Sequence, residues 1–294
     1  MKSKNALTRI TPLGALNYVL VGLLAVLCGL PMILVLSISL TSDKAIKMYG
    51  YQLIPSDFSA LAYRVIFSRG SSAYNSYFIS ISVTAAGTLV AVAITFMAAF
   101  ALVNQSVRYR NALAFYFFVP MVFNAGLVPW YMMCRNLGLT DNFLALVVPS
   151  LLFSPFNMFL CRNFMRTIPD SFMESARLDG ANDLVIAFRI YFPLSTPVVA
   201  TVALFYGVAY WNDWFNAIML VKNNKLFPLQ YMLYQIQSEL ESLRRLGPGV
   251  PTRQLPGESM KMATAIVTIG PIVLLYPFLQ KYFVKGLIIG GVKG

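Results

Sequence analysis

The sequence contains no histidine, and only 12% of its 294 residues are charged. Soluble globular chains carry about a quarter charged residues, so this proportion excludes an ordinary soluble domain. Hydrophobic residues make up 58% of the chain, and the mean hydropathy is +0.67. The composition alone therefore indicates a membrane protein.

Several chemical motifs are also missing. The chain has no Gly-x-x-x-x-Gly-Lys-Ser/Thr motif, so it has no P-loop with which to bind ATP itself. The long apolar stretches lack charged residues at their centres, whereas ion-coupled carriers usually keep such groups there. A membrane-embedded enzyme needs a nucleophile beside a base, and the sequence offers no such pair. These absences argue against an ion-coupled secondary carrier and against an enzyme.

Cysteine is scarce. Cys28, Cys134 and Cys161 lie in or at the ends of different apolar stretches, without the spacing of metal ligands. We interpret them as free packing residues and predict no metal site.

Six uncharged stretches of at least 19 residues run through the chain. About 20 apolar residues in a helix cross the ~30 Å hydrocarbon core of a bilayer. Proline and glycine in the later stretches predict kinks, which serve either a translocation path or ordinary packing. We predict membrane-spanning helices over 13–40, 74–103, 112–134, 143–164, 197–220 and 262–284.

An even number of spans places both termini on one side of the membrane. Lysine and arginine are almost evenly divided between the two sides, and the longest loops hold most of the charge on the side opposite the termini. Long loops carry little weight in the positive-inside rule, which leaves a mild preference for cytoplasmic termini. The first apolar run is too long for a signal peptide, so we expect it to be retained as a helix.

One polar segment interrupts the apolar stretches. Residues 174–193 read ESARLDGANDLVIAFRIYFP. This segment resembles the cytoplasmic coupling loop of ABC-importer permeases, whose pattern is Glu-Ala-Ala, three residues, Gly and a distal Ile-x-Leu-Pro. Ser175 replaces the second-position alanine, and Phe192 replaces the usual leucine. We predict a short helix, a left-handed turn at Gly180 and a second helix; the alternative is an ordinary amphipathic interhelical loop.

Further segments narrow the resemblance to carbohydrate importers. The similarity covers roughly 70–294 and is closest to the second, shorter, six-helix permease of a maltose-type oligosaccharide importer. It is weakest in 1–69 and 238–259. An ABC permease for a non-sugar solute is the alternative, and the sugar-family segments argue against it. Those segments are 124–129, 135–139, 154–157, 162–164, 277–286 and 290–294.

The resemblance implies an all-α membrane protein with six transmembrane helices and the type I ABC-importer permease fold. The layout it implies is a cytoplasmic N-terminus over 1–12, a first span over 13–40, a core over 74–284 with the coupling loop 165–193 and an outer loop 221–261, and a cytoplasmic tail over 285–294.

The resemblance also implies a multi-pass protein of the bacterial inner membrane. Its implied partners are a second homologous permease, two ABC ATPase subunits that hold ATP and Mg²⁺, and an extracytoplasmic sugar-binding protein. The implied substrate is an oligosaccharide and the implied surroundings are the lipid bilayer, and we expect this chain itself to bind no cofactor or nucleic acid. The residues implied to meet the ATPase subunits are Glu174, Ser175, Ala176, Asp179, Gly180 and Ala181, with the tail residues Gly290, Gly291, Val292, Lys293 and Gly294.

The substrate path is less defined. Tyr206, Tyr210 and Asn212 form an aromatic and amide cluster near the end of the fifth predicted span, which suits a sugar site. Aromatic residues at this depth also form interfacial belts, so both interpretations stay open.

The predicted outer loop 221–261 is basic. Arg244, Arg245 and Arg253 are candidates for contact with the binding protein, and a basic loop there suits an acidic oligosaccharide such as a uronic-acid chain. The alternative is a charged surface without a ligand.

Overall fold

The computed structural model describes residues 12–68, 72–149, 151–246 and 257–273. Within these ranges every regular element is a helix, and the only pairing of extended backbone is an isolated bridge between Thr41 and Phe58. The chain divides into two compact units, Met1–Arg69 with Ile236–Val267 and Gly70–Gln235 with Thr268–Gly294. The prediction of an all-helical protein is confirmed over the described residues.

The first unit begins with α1, Pro12–Ser39, which is apolar along its length. Its residues 14–39 have a mean hydropathy of 2.9, and the most apolar part is not buried in the protein. At 1.5 Å per residue these 26 residues span about 39 Å, which is enough to cross a bilayer core. The helix predicted over 13–40 is confirmed, and its exposed apolar side chains need an apolar environment.

Two short helices follow in the first unit, α2 (Asp43–Tyr49) and α3 (Leu61–Ile66). Ser42 is the N-cap of α2, because its Oγ accepts a hydrogen bond from the Ala45 N–H at 3.3 Å. The segment after the first span therefore folds into local helices instead of an extended loop.

The second unit is a succession of long and short helices. In chain order they are α4 (Ala73–Val103), α5 (Arg110–Val122), α6 (Leu127–Asn136), α7 (Leu144–Val147), α8 (Pro155–Met165), α9 (Ser171–Leu178), α10 (Asp183–Val185), a π-helical turn (Ile186–Tyr191), α11 (Phe192–Leu194), α12 (Thr196–Trp211), α13 (Phe215–Leu220), a 3₁₀ turn (Asn224–Leu226) and α14 (Leu229–Leu246), whose last residues belong to the first unit.

The core of the second unit lies between α4, α8 and α12. The hydroxyl of Tyr206 on α12 lies 2.7 Å from that of Thr95 on α4, and it accepts the N–H of Ser154 at 2.8 Å. Farther along α12, the ring of Tyr210 packs over Gly87 of α4, where any Cβ would come within 2.7 Å of the ring. Because residue 87 faces residue 210 while residue 95 faces residue 206, α4 and α12 are antiparallel.

The third predicted span, 112–134, is not one continuous helix. The chain bends by 118° between α5 and α6. Gly126 at the bend has a φ of +87°, and its N–H donates to the Asn124 side chain at 2.8 Å. A glycine at positive φ together with a local side-chain bond favours the turn over helix continuation.

The fourth and fifth predicted spans are also interrupted. Within 143–164, α7 ends at Val147 and α8 begins only at Pro155, after Ser154 caps it by accepting the Asn157 N–H at 3.4 Å. Within 197–220, α12 ends at Trp211, and Asp213 accepts the N–H groups of Phe215 and Asn216, which starts α13. Proline and a capping side chain explain the first break, and the capping side chain of Asp213 explains the second.

Among the described residues, two helices, α1 and α4, are each long and apolar enough to cross a membrane alone. Counting each bent pair, 110–136 and 183–211, as one span raises the number to four. Of the sixth predicted span, 262–284, residues 262–273 are helical and the rest lies outside the described residues. The described residues therefore do not confirm a count of six, and the predicted outer loop 221–261 contains the 18-residue helix α14.

Candidate functional site

The segment predicted to be the coupling loop contains α9, an amphipathic helix with two distinct faces. Met173 and Ala176 face the protein, with only 3% and 7% of their surface exposed. Glu174 and Ser175 are exposed, and Leu178 is 90% exposed. The outer face of α9 is therefore free within the described chain to contact another subunit.

The turn at the end of α9 has the hydrogen bonds of a Schellman motif. The Gly180 N–H donates to the Arg177 carbonyl at 3.0 Å, and the Ala181 N–H donates to the Ala176 carbonyl at 2.9 Å. Gly180 has a φ of +79°, which confirms the predicted left-handed turn. Asp179 is the C-cap, so these bonds cover the carbonyl groups that the helix end leaves free.

A second helix starts directly after the turn. The Asn182 side chain caps α10 by accepting the Val185 N–H at 2.9 Å. Sequence reasoning missed this residue, although Asn-Asp after a glycine turn is a recognisable helix start. Ala181 is half-buried and packs against the core. The six residues predicted to meet the ATPase subunits thus lie together on α9 and its turn.

Sequence reasoning also missed the side chains that attach α9 to the end of α4. The Gln105 Nε2 donates to the Asp170 carboxylate at 3.0 Å, just before α9. In the last turn of α9, the Arg177 guanidinium donates at 2.5 Å to both the Asn104 side-chain oxygen and the Ser106 hydroxyl. No local sequence signal identifies these bonds, because the partners are about 70 residues apart.

The buried side of α9 lies near an aromatic pair. The rings of Phe100 and Tyr191 meet edge to face, with centroids 5.2 Å apart. Tyr191 is completely buried, and its hydroxyl has no hydrogen-bond partner within the described residues. The end of α4 therefore contacts the coupling segment through polar side chains at 104–106 and through packing at Phe100.

The structure separates the three residues predicted for the substrate path. Tyr206 and Tyr210 are 2% and 3% exposed, and their hydroxyls bond within the helix core; that of Tyr210 donates to the Val147 carbonyl at 2.8 Å. Asn212 is exposed, and the Gln230 side chain donates to its oxygen at 3.1 Å. In this conformation both tyrosines are packing residues, and only Asn212 faces outward.

Two residues after Asn212, Trp214 belongs to an aromatic group that continues onto α14. Trp214 is 40% exposed and stacks on Tyr234 of α14, with centroids 4.8 Å apart and planes 8° from parallel. Tyr231 lies next to Tyr234 at 6.2 Å, in nearly the same plane orientation. The spacing of Tyr231 and Tyr234 by three residues places both rings on one helix face, which the sequence could have indicated.

A small polar cavity of about 130 Å³ lies at the start of α4. The Ser76 hydroxyl is buried there without a partner among the described residues. A cavity of this size holds a few water molecules, each of which occupies about 30 Å³ in the liquid. Its lining residues are Ser72, Ser76, Asn224, Phe227, Met232 and Gln235.

Other predicted site residues lie outside what the structure describes. Arg244 and Arg245 belong to the last turn of α14, and their side chains are not described; Arg253 and the tail residues 290–294 lie outside the described residues. Among the described residues, no group of three or more histidine, cysteine, aspartate or glutamate side chains could hold a metal ion.

Comparison with known proteins places these features in context. The pattern of the family described as a binding-protein-dependent transport system inner membrane component matches residues 7–289. The polygalacturonan/rhamnogalacturonan transport system permease protein YtcP of Bacillus subtilis (strain 168) is 38% identical over 274 residues, which are 92% of this chain and 94% of that protein.

Two solved structures have similar folds. A bacterial ABC transporter involved in the import of the acidic polysaccharide alginate matches with a TM-score of 0.80 and 31% identity, over 96% of this chain and 100% of that one. A bacterial alginate ABC transporter in complex with an alginate pentasaccharide-bound periplasmic protein matches with a TM-score of 0.53 and 15% identity, over 91% and 90% of the two chains. The second match supports the fold alone.

Proposed function

The chain belongs to the family of binding-protein-dependent transport system inner membrane components, and from this premise we propose that it is the transmembrane permease subunit of an ATP-driven importer for acidic oligosaccharides. Its mostly helical fold is that of the type I ABC-importer permeases. The observation that carries the proposal is α9 with its Schellman turn, a rigid exposed helix at the end of α4 in a chain without an ATP-binding motif of its own.

The acidic cargo is supported by charge and by the relatives. The chain has a net charge of +12, which favours anionic partners over cationic ones. The names of two similar proteins refer to polygalacturonan, rhamnogalacturonan and alginate, and these are polymers that contain uronic acids. A chain of uronic-acid residues of oligosaccharide length is therefore the substrate class that we propose.

The proposed machine has four kinds of component. This permease pairs with a second homologous permease, and two ATPase subunits bind ATP and Mg²⁺ beneath the pair, with α9 docked on one of them. An extracytoplasmic binding protein delivers the sugar from the other side. ATP and the loaded binding protein both favour the outward-facing state, because a ligand shifts a conformational equilibrium only by its differential affinity.

The membrane arrangement completes this proposal. Both termini and α9 lie in the cytoplasm, since α9 must reach the subunits that bind ATP. Six spans are proposed, with α5–α6, α7–α8 and α12–α13 as broken spans. Irregular backbone of this kind is tolerated in a membrane where neighbouring helices or a water-filled cavity cover its polar groups.

Contact with the sugar on this chain is proposed for the exposed group around Asn212. The ring of Trp214 and the bonded side chains of Asn212 and Gln230 together offer an aromatic face and amide groups. Aromatic faces pack against the C–H surfaces of a pyranose, and amides bond to hydroxyls and carboxylates. Tyr206 and Tyr210 are assigned to packing.

Reconstitution tests the proposal directly. The chain is purified with the subunits that assemble with it and is placed in proteoliposomes with the sugar-binding protein. We expect uptake of a trigalacturonate that requires ATP and the binding protein, and much slower uptake of the neutral trisaccharide raffinose. Uptake driven by an ion gradient without ATP would contradict the importer assignment. Preference for raffinose would contradict only the acidic cargo.

A further inference from the structure

The end of α4 holds α9 at both of its ends. Before the first turn of α9, Asp170 accepts the side-chain N–H of Gln105. In its last turn, Arg177 donates to the side chains of Asn104 and Ser106. Three consecutive residues directly after α4, 104–106, therefore attach to the N-cap of α9 and to its last turn, two points that are seven residues apart, about 10 Å along a helix axis.

The bonds of Arg177 differ in their expected contribution. Its ion pair with Asp183 at 3.5 Å is between partly exposed side chains and therefore contributes little. Asn104, in contrast, is only 2% exposed, and its side-chain oxygen also accepts the Ser106 N–H at 3.0 Å. The guanidinium thus completes a capping turn that α4 has already formed, and a charge-assisted bond to a buried acceptor is stronger than a neutral one.

These attachments bypass the covalent path along the chain. In sequence, α9 is linked to α8 before it and to α10 after it, whereas 67 residues separate the end of α4 from the start of α9. A load applied to α9 therefore has a direct route to α4 through these side chains, in addition to the route along the chain through α8, which also packs against α4. The helix α4 has 31 residues and a length of about 46 Å, and its middle packs against α12 at Gly87.

We propose that Arg177, bonded to Asn104 and Ser106, is the positioning residue that transmits the displacement of α9 to α4. This inference rests on the importer function proposed above. When the ATPase subunits move the exposed face of α9, the polar attachments at 104–106 make the end of α4 follow as one body. Gln105 and Asp170 form the second attachment and prevent α9 from rotating about the first.

The test measures how tightly sugar import is coupled to ATP hydrolysis, and not how much sugar is imported. Arg177→Ala, Arg177→Lys and Asn104→Ala are compared in the reconstituted complex by the number of sugars imported per ATP hydrolysed. We expect Arg177→Ala to leave ATP hydrolysis without binding protein nearly unchanged while lowering the number of sugars per ATP at least tenfold. Arg177→Lys should keep part of the wild-type number of sugars per ATP, because lysine keeps the positive charge but lacks the planar guanidinium with its several N–H donors.

A matched control and a double variant separate transmission from folding. Arg166 is exposed just before α9 and its guanidinium makes no hydrogen bond within the described residues, so Arg166→Ala is expected to retain wild-type coupling. Adding Asn104→Ala to Arg177→Ala should lower the coupling little further, because both variants remove the same bond. If Arg177→Ala lowers uptake and stimulated hydrolysis in equal proportion, its role is structural and the proposal is wrong.

A second measurement does not depend on the sugar. Spin labels on Ser171 of α9 and Arg108 beyond α4, in a variant with Cys28 replaced by serine, report the distance between the two segments. We expect this distance to stay constant between the ATP-free and ATP-bound complexes, and to become broad in Arg177→Ala. If the distance in the wild-type complex changes on ATP binding, the proposal that α9 and the end of α4 move together is wrong. If the wild-type complex takes up no sugar, only the proposed function is wrong.

Discussion

Glu174 stands on the exposed face of α9, and its carboxylate makes no hydrogen bond or ion pair within the described part of the chain. Its place in the first turn of the helix is favourable for a negative charge, but that effect is worth only about 0.3–1 kcal/mol at an exposed site. A residue so exposed contributes little to the fold of this subunit. Its role is therefore best sought in contact with another subunit.

Reversal of this charge is expected to stop transport. Glu174→Lys places a cation where the ATPase groove should receive an anion, and the subunit should still reach the membrane in normal amount. Uptake by membrane vesicles and immunodetection of the subunit measure the two effects. Glu174→Gln is the control, because it keeps the size and the acceptor oxygen. Wild-type uptake by the lysine variant would contradict the docking role.

Gly180 is required by backbone geometry alone. An added Cβ would meet no atom within 4 Å, so the cost of substitution comes from the φ of +79°. Residues other than glycine lose about 1–2 kcal/mol in this conformation. We expect Gly180→Ala to reduce uptake, Gly180→Val to reduce it more, and Gly180→Asn to reduce it least, because asparagine tolerates the left-handed region. Uptake at the wild-type rate by all three variants would show that the turn is not needed.

At the scale of the elements, the pair α4 and α12 shows that local sequence predicts the presence of a helix, whereas packing decides which way its side chains face. Both helices were expected from their apolar residues; α4 exists over nearly the predicted range, whereas α12 ends at Trp211, nine residues before the end of the predicted span 197–220. The roles of Tyr206 and Tyr210 could not be predicted, because helix rotation about its axis decides whether a ring faces a path or a neighbour. Gly87 decides it for Tyr210, since only a residue without a side chain leaves space for the ring.

Two glycines at the contact between α4 and α12 offer a matched test. At Gly87 an added Cβ would lie 2.6 and 2.7 Å from carbons of the Tyr210 ring, whereas at Gly207 it would lie 3.7 Å from the Thr88 hydroxyl, an ordinary contact. We expect Gly87→Ala to lower the melting temperature of the purified complex by several degrees, because overpacking costs about 1–3 kcal/mol. Gly207→Ala should change it little. Similar melting temperatures would mean that α12 can shift freely along α4.

The bent spans have a different explanation. Their apolar composition predicts continuous helices, and the helix ends depend on single groups such as the side chains of Asn124, Ser154 and Asp213 that bond to the backbone. Proline and glycine marked these regions as kinked in the sequence. Whether a kink is slight or a full reversal of 118°, as between α5 and α6, depends on what packs against it.

For the whole molecule, charge is the property that relates the chain to its proposed cargo. The net charge of +12 is spread along the sequence, and the basic segment 244–253 lies in and beyond the last turn of α14. Attraction of an acidic sugar or its loaded binding protein would be screened by salt, since the Debye length is about 10 Å at 0.1 M.

Neutralisation of three arginines tests this relation. Replacing Arg244, Arg245 and Arg253 by glutamine should slow uptake of an acidic oligosaccharide severalfold at low salt and reduce its dependence on salt. ATP hydrolysis without binding protein should hardly change, because α9 is untouched. A triple variant of Lys2, Lys4 and Arg9 to glutamine is the control, since these residues lie in the proposed cytoplasmic N-terminus. Normal uptake by the variant of Arg244, Arg245 and Arg253 would show that the basic segment is only a solvated surface without a role in uptake.

The sequence alone determines that the protein is helical and membrane-embedded, that it has no P-loop motif, and that 174–193 forms a helix, a glycine turn and a second helix. These features depend on composition and on residues close together in the chain. Only the tertiary structure decides that the tyrosines are buried, that the apolar stretches bend, and that Arg177 is attached to Asn104. Those outcomes depend on helix rotation and on side chains about 70 residues apart, which no local pattern encodes.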